Sequence, residues 1–392
     1  MSTTGTRKVH TSGTHRTRAP EETWEIIRPR FERYGITRVS DVTGLDHLGI
    51  PVAMATRPLS WTLSVSQGKG QSLLLAKVSA AMEGIEFWHA ERVRPPVSHR
   101  AVAAADLDLG YDVREIGMTP SPFLSERTPL DWVDAVGMET GRTVPVPIDE
   151  ICFRDPAAHR WSPVELRPSS NGLASGNCRE EAALHALYEV IERDALSRPT
   201  LAEIAAAPSI DPASVPDPVC AAMVEAITGA GGQVSIALLP SRFGVPTFKC
   251  LVWSWDFPVV CGGSGSHGDP LIALSRAVTE AAQGRLAAIV GSRDDLEHFW
   301  STMDHAHQHA RIKGQFPAPT ASYDEATAGF VQHHDDLGEE LASMVRRVRE
   351  VVGSEPLLVD LSTDDDIAVV KVVVPRSAMA FERVHVRTQR GA

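Results

Sequence analysis

Three stretches of this 392-residue chain set carboxylates into runs that are otherwise apolar and rich in alanine. In the run from Leu73 to Glu86, Ser79, Glu83 and Glu86 fall at i, i+4 and i+7. On a helix turning by about 100° per residue, that spacing is one narrow face. Arg276, Glu280 and Gln283 repeat it in the run from Leu274 to Arg285. Between the two, Glu181, Glu189 and Glu192 cluster at i, i+8 and i+11, with His185 among them and Arg193 directly after. Val, Ile, Leu, Met and Trp cover much of the remaining circumference, so solvated surface is a poor explanation. Ionised carboxylates beside a packed interior are costly unless something positive neutralises them. Metal ions, the counter-ions of a bound phosphate, or arginines could do so. One such helix reads most simply as surface Glu paired with a nearby Arg, as Glu280 with Arg276. Three with matching geometry favour a site.

Each acidic stretch follows a segment of Gly and Ser. A loop of Gly, Ser and Lys before a helix suits a phosphate, because free backbone N–H groups and the helix dipole favour an anion there. Ser66-Gln67-Gly68-Lys69-Gly70 reads as such a loop, but it is not a P-loop. Gly70 stands where Ser or Thr should hold magnesium, and Leu63 where the first Gly should be. Magnesium takes oxygen ligands, so carboxylates from several helices can hold a nucleotide through metal instead. Other motifs read as bland. His305, His307 and His309, and the run His333-His334-Asp335-Asp336, lack a ligand spacing and read as solvated. No G-x-S-x-G elbow occurs, and no Ser-His-Asp set stands out.

The elements that position these residues follow from pattern. Residues 1–18 read as a flexible N-terminal arm and 19–392 as a single domain. Pro20 opens a helix with acidic residues in its first turn. Ile50–Ala55 and Trp61–Val65 read as strands, and Pro95-Pro96 ends the first acidic helix. Thr143–Ile148 is a strand that its prolines confine to an edge. Ser169–Gly176 reads as a loop feeding the second acidic helix. Gln233–Leu239, Thr247–Trp253, Pro356–Leu361 and Ile367–Val374 add strand, Val259–Gly268 reads as strand and Gly-rich loop before the third acidic helix, and 294–350 as helical cover. The fold class is therefore α/β, mixed β-sheets flanked by helices.

Composition excludes other classes. At 43% apolar and 22% charged residues the chain is globular. A net charge of −12 with no basic run excludes a nucleic-acid partner, and no apolar run approaches the roughly 18 residues of a membrane span. Five cysteines without a C-x-x-C pair, and no secretory h-region, point to a reducing compartment, the cytoplasm. Cys178 reads as a plain buried thiol.

The stretch Ser170-Asn171-Gly172-Leu173-Ala174-Ser175-Gly176-Asn177-Cys178-Arg179-Glu180-Glu181-Ala182, continued by His185 to Ala195, closely resembles the signature of YcaO-domain proteins. The runs around Ser79-x-x-x-Glu83-x-x-Glu86 and Arg276 to Arg285 resemble that family's other two acidic helices, in the family's order. The resemblance covers roughly residues 13–375. It implies an ATP- and Mg2+-dependent enzyme that activates a peptide backbone amide by phosphorylating its oxygen, with ATP held among three acidic helices. It carries Glu83, Glu86, Glu181, Glu189 and Glu192 onto magnesium positions. Arg16, Thr23, Lys69, Ser79, Asn177, Arg193, Glu280, Gln283 and Arg285 match ATP-binding positions. Ala174 departs from relatives with Ser there, and the neighbouring Ser175 is expected to point elsewhere. The opening Gly13-Thr14-His15-Arg16, the run Ile36 to Asp46, and a C-terminus (Val386 to Ala392) without a Pro-x-Pro-x-Pro tail resemble the subgroup that works beside a TfuA-like protein. That subgroup implies thioamide formation on a precursor peptide and a homodimer. Azoline or amidine formation on the same fold is the alternative, and a non-catalytic nucleotide-dependent binder the rival from another class.

Overall fold

The computed structural model describes residues 6–117, 123–155, 166, 168–257, 259–292, 316–330 and 334–379. His305, His307, His309, His333 and the C-terminal run Val386 to Ala392 lie outside the described residues.

Three sheets carry the chain. The first is antiparallel, with β1 (Arg38–Asp41), β2 (Val52–Thr56) and β3 (Val65–Lys69) in that order. The second contains β4 (Val97–Ala103), β5 (Pro129–Gly137), β6 (Thr143–Pro147) and β7 (Leu173–Gly176). The third contains β8 (Ser209–Ile210), β9 (Gln233–Leu238), β10 (Thr247–Trp253) and β11 (Cys261–Ser266), in the order 11-10-9-8. Strands β12 (Leu357–Asp360) and β13 (Ala368–Val373) return to the second sheet, giving the order 4-5-12-13-7 with β6 on β5. The proline-bearing β6 pairs with β5 alone, as its missing N–H groups require.

Nine helices accompany them among the described residues: α1 (Pro20–Ile27), α2 (Leu73–Arg92), α3 (Ile148–Ile151), α4 (Arg179–Ser197), α5 (Leu201–Ala206), α6 (Pro218–Gly229), α7 (Pro270–Val290), α8 (Tyr323–Thr327) and α9 (Leu337–Val352). The three acidic stretches are the long helices α2, α4 and α7. Ser72 caps α2 by accepting from Leu75 N–H, and Asp269 caps α7 by accepting from Leu271 N–H.

The Gly/Ser segments before these helices contain strands, which corrects the loop reading of 66–69 and 173–176, while 169–172 turn as a loop. Val65–Lys69 is β3, Leu173–Gly176 is β7, and the strand in 259–268 is β11. Their glycines are explained by what lies over them. A Cβ at Gly68 would run into Ala76 O and Ala80 N of α2. One at Gly263 would meet Ala277 O and Ala281 N of α7. The strand–helix unit thus occurs three times, each with small residues on both sides so that helix backbone can lie directly on strand.

Candidate functional site

A cavity of about 550 Å3 opens where α2, α4 and α7 converge, and the start of the chain closes one side of it. Its wall includes Ser79, Glu83 and Glu86 of α2, Glu181, Glu189, Glu192 and Arg193 of α4, and Arg276, Glu280 and Gln283 of α7. The three stripes therefore face one space.

Three carboxylates are each aimed by one of the three glycine-bearing strands. Glu83 Oε2 accepts from Gln67 N–H of β3 at 2.7 Å. Glu86 Oε1 accepts from Ser175 N–H (2.8 Å) and Oγ (2.6 Å) of β7. Glu192 accepts from Ser264 Oγ at 2.6 Å and from Ser266 N–H at 3.2 Å, both in β11. Burial, partly offset by the Ser175 hydroxyl and reinforced by Glu83, pushes Glu86 up to about 8. Burial also raises Glu189 to about 7, against the pull of Arg193 and with the push of Glu192. The protein's own charges do not fully compensate Glu86 and Glu189.

Ser175 was expected to point elsewhere, and the structure corrects this. Strand alternation puts Ala174 into the core, 1% exposed, and turns Ser175 onto the cavity to hold Glu86.

Glu181 stands apart from the other four. Its carboxylate accepts from Thr17 N–H (2.8 Å) and Oγ1 (2.9 Å), and from Asn177 N–H (3.1 Å) and Nδ2 (3.1 Å), and it pairs with Arg16 at 3.6 Å. Asn177 Oδ1 in turn accepts from Thr23 Oγ1 at 2.8 Å. In this arrangement Glu181 fastens the beginning of the chain. Residues 6–18 are accordingly not a loose arm. Thr6 Oγ1 donates to Asp336 at 2.6 Å, Lys8 pairs with Glu340 at 2.7 Å, and Ser12 donates to Gln71 at 3.0 Å. Their polar composition hid long-range partners that no local pattern reveals.

Cations complete the wall. Lys69 pairs with Glu280, Arg193 approaches Glu189 at 3.6 Å, and Gln283 Nε2 donates to Gln67 O at 3.0 Å. Arg285 is the exception among the expected ATP ligands, and its assignment is corrected. It lies outside the cavity wall, 1% exposed, with Nε on Asp46 (2.8 Å), Nη1 on Ser254 (2.7 Å) and Nη2 on Asp256 (3.1 Å). Nine residues after Arg276 on one helix, it faces a different layer.

Sequence reasoning missed Gln67, Ser264 and Ser266, whose signal was only their place in glycine-rich strands. It also missed a buried cluster of His15, His267 and Glu340, whose ligand atoms lie within 4.8 Å of one another. A cation already fills that cluster, since Lys8 Nζ sits on Glu340. The Asp269 N–H donates to His267 Nδ1 at 2.9 Å, which leaves the ring proton on the Nε2 side. Cys178 is half-buried and burial raises its thiol, so it is not an activated nucleophile. Among the described residues, no helix is long and apolar enough to cross a membrane.

Comparison with known proteins agrees with this geometry. A family model described as YcaO cyclodehydratase, ATP- and Mg2+-binding, matches residues 67–377. An uncharacterised Mycobacterium tuberculosis protein is 39% identical over 370 residues, 94% of this chain and 83% of its own length. An uncharacterised protein in the tfuA 3' region of Rhizobium leguminosarum bv. trifolii is 41% identical over 298 residues, 71% of this chain and 68% of that one. Among solved structures, YcaO from Methanopyrus kandleri bound with AMPPCP and Mg2+ superposes with a TM-score of 0.69 at 26% identity, covering 94% of each chain.

Proposed function

This chain belongs to the YcaO family, described as ATP- and Mg2+-binding cyclodehydratases, and we propose that it activates a peptide backbone amide for conversion to a thioamide beside a TfuA-like partner. The observation that carries the ATP-dependent reading is the convergence of Glu83, Glu86, Glu189 and Glu192 with Lys69, Arg193 and Arg276 in one cavity. The donor set fits the expected groups. Glu83, Glu86, Glu189 and Glu192 offer the hard oxygens that Mg2+ prefers, and burial raises Glu86 to about 8 and Glu189 to about 7, which a divalent cation would offset. Bound Mg2+ would screen the polyphosphate and stabilise charge growing on the transferring phosphoryl group. Lys69, Arg193 and Arg276 would face the phosphates, while Thr23, Asn177 and Arg16 would wall the nucleoside side.

In this reading a hydrosulfide forms a C–S bond at the amide carbon, and the carbonyl oxygen takes the phosphoryl group as the phosphoanhydride bond of ATP breaks. The C–O bond then breaks, phosphate leaves, and the sulfhydryl proton passes to solvent. An amide oxygen is a poor leaving group, and phosphorylation corrects that. The relative in the tfuA 3' region, together with the Gly13-Thr14-His15-Arg16 opening, supports thioamide over azoline formation. The partners of this reading are a precursor peptide, a TfuA-like protein and a second copy of the chain, in the cytoplasm.

Incubation with precursor peptide, ATP, Mg2+, a TfuA-like protein and sulfide should raise peptide mass by about 16 Da per site, oxygen exchanged for sulfur. A loss of about 18 Da without sulfide or partner would mean an internal nucleophile and azoline or amidine formation. ATP consumption independent of any peptide would favour a nucleotide-dependent binder.

A further inference from the structure

Arg276 differs from the chain's other inward arginines. Arg57 pairs with Glu91 at 2.7 Å, Arg285 with Asp46 at 2.8 Å, and Arg193 approaches Glu189 at 3.6 Å. Among the described residues, no carboxylate lies within ion-pairing distance of Arg276. Its Nη1 lies 3.4 Å from His185 Nδ1, and its Nε is shielded from solvent with no hydrogen-bond partner. Both side chains line the cavity, His185 from α4 and Arg276 from α7.

A guanidinium carries only donors, so His185 must accept through Nδ1 and keep its ring proton on Nε2. We propose that His185 is a positioning residue for Arg276, turning the guanidinium toward an anionic ligand without neutralising it. This rests on the reading that a nucleotide's polyphosphate enters the cavity. A carboxylate at position 185 would also orient Arg276, but it would cancel the charge and compete with phosphate for it. Lys69 shows that alternative, because Glu280 already pairs with it. An imidazole supplies direction alone, provided it stays neutral. Burial is the largest influence keeping it so. Arg276 of α7, Arg16 of the N-terminal segment, Lys69 of β3 and His267 after β11 all add to it, and together they push His185 well below the ordinary imidazole value. Glu181 and Glu189 flank it one turn away on α4.

The test is calorimetric binding of a non-hydrolysable ATP analogue with Mg2+ to the full chain, with thermal melts as a folding control. A hydrogen bond to a charged group is worth about 1.5–3 kcal/mol, so losing it costs tenfold or more. His185→Leu and Arg276→Met should each weaken binding about tenfold or more, and the double variant should be no weaker than Arg276→Met. His185→Asn, whose Oδ1 can stand where Nδ1 does, should stay within about threefold of the parent. His185→Glu should bind worse than His185→Asn although it too offers an acceptor. Additive losses in the double variant, or Glu matching Asn, would overturn the proposal. If His185→Leu fails to fold, the Asn and Glu pair still decides. Absence of analogue binding by the unaltered chain would instead remove the nucleotide reading itself, and the proposal with it.

Discussion

Helix α2 carries two carboxylates that receive opposite treatment. Glu91, fully buried, accepts from Arg57 Nη2 at 2.7 Å, from Thr62 Oγ1 at 2.7 Å and from Thr62 N–H at 3.2 Å. Glu86, five residues earlier, is held only by Ser175, faces Glu83 and Glu189, and is pushed up to about 8. Helix α7 repeats the contrast with arginines. Arg285 is satisfied by Asp46, Asp256 and Ser254, whereas among the described residues the side chain of Arg276 meets an imidazole and no carboxylate. The satisfied member of each pair holds layers together, and the unsatisfied one faces the cavity. A poorly compensated charge on a cavity wall is the physical mark of a site that completes itself with a ligand.

The largest effect tests the satisfied side. Glu91→Gln strands Arg57, and Arg285→Met strands Asp46. Breaking a buried pair by removing one partner costs about 3–5 kcal/mol. Urea denaturation should show that loss, while nucleotide affinity of the folded fraction stays at the parent value. Unchanged stability with abolished nucleotide binding would reverse the roles assigned here.

On the cavity side the expected pattern inverts. Glu83→Gln or Glu192→Gln should lower peptide-dependent ATP turnover by about 10²–10³, the scale for removing one electrostatic stabiliser of a transition state. The melting temperature of the metal-free protein should hold or rise, because crowded carboxylates repel one another. Full activity in either variant would end the metal-ligand assignment for that residue.

Spacing along a helix made much of this site legible. Ser79, Glu83, Glu86, Glu189, Glu192, Glu280 and Gln283 share their cavity because α2, α4 and α7 are long and regular, so a one-dimensional stripe maps onto a face. Arg285 shows where that method ends. The family pattern extended the third motif by one position beyond Gly284, and that step turns the side chain by about 100° onto another layer. The strands β3 and β7 were misread because glycine and serine locally favour turns, while the pull toward extended structure came from helix backbone packing over Gly68 and Gly176. The anchoring of residues 6–18 joins Lys8 to Glu340 and Thr17 to Glu181, partners 332 and 164 residues apart, which leave no local trace.

A third test adds the groups the cavity lacks. ATP with Mg2+ at about a hundred times its Kd should stabilise the protein by about 2.7 kcal/mol. ATP with EDTA should do much less, since polyphosphate would then meet a cluster of carboxylates with no metal between them. Equal protection in both would mean that the carboxylates do not act through metal, and the contrast between Glu86 and Glu91 would lose its meaning.

The smallest effect is a slope in stability with pH. Glu86 titrates near 8 and Glu189 near 7 in the folded protein, against an ordinary value of 4.5. Folding therefore takes up protons across that interval. Their contribution is complete below about pH 4.5 and is lost as pH rises through 7 and 8. His15 and buried His89, lowered to about 4 chiefly by desolvation, act in the opposite sense, because the unfolded chain takes up their protons below about 6.5. Above pH 6.5 these two are neutral in both states, so the carboxylates dominate. In EDTA, stability should fall between pH 6.5 and 8, at no more than about 1.4 kcal/mol per pH unit for each proton. Glu86→Gln should flatten the upper part of that fall, and Glu91→Gln should leave its shape alone. Excess Mg2+ should flatten the share of Glu86 and Glu189 in the parent, since a bound divalent ion holds both ionised throughout, and leave the share of Glu150, which burial also raises to about 7 but which lies outside the cavity wall. A slope that survives Glu86→Gln unchanged would show that this carboxylate is not the uncompensated one.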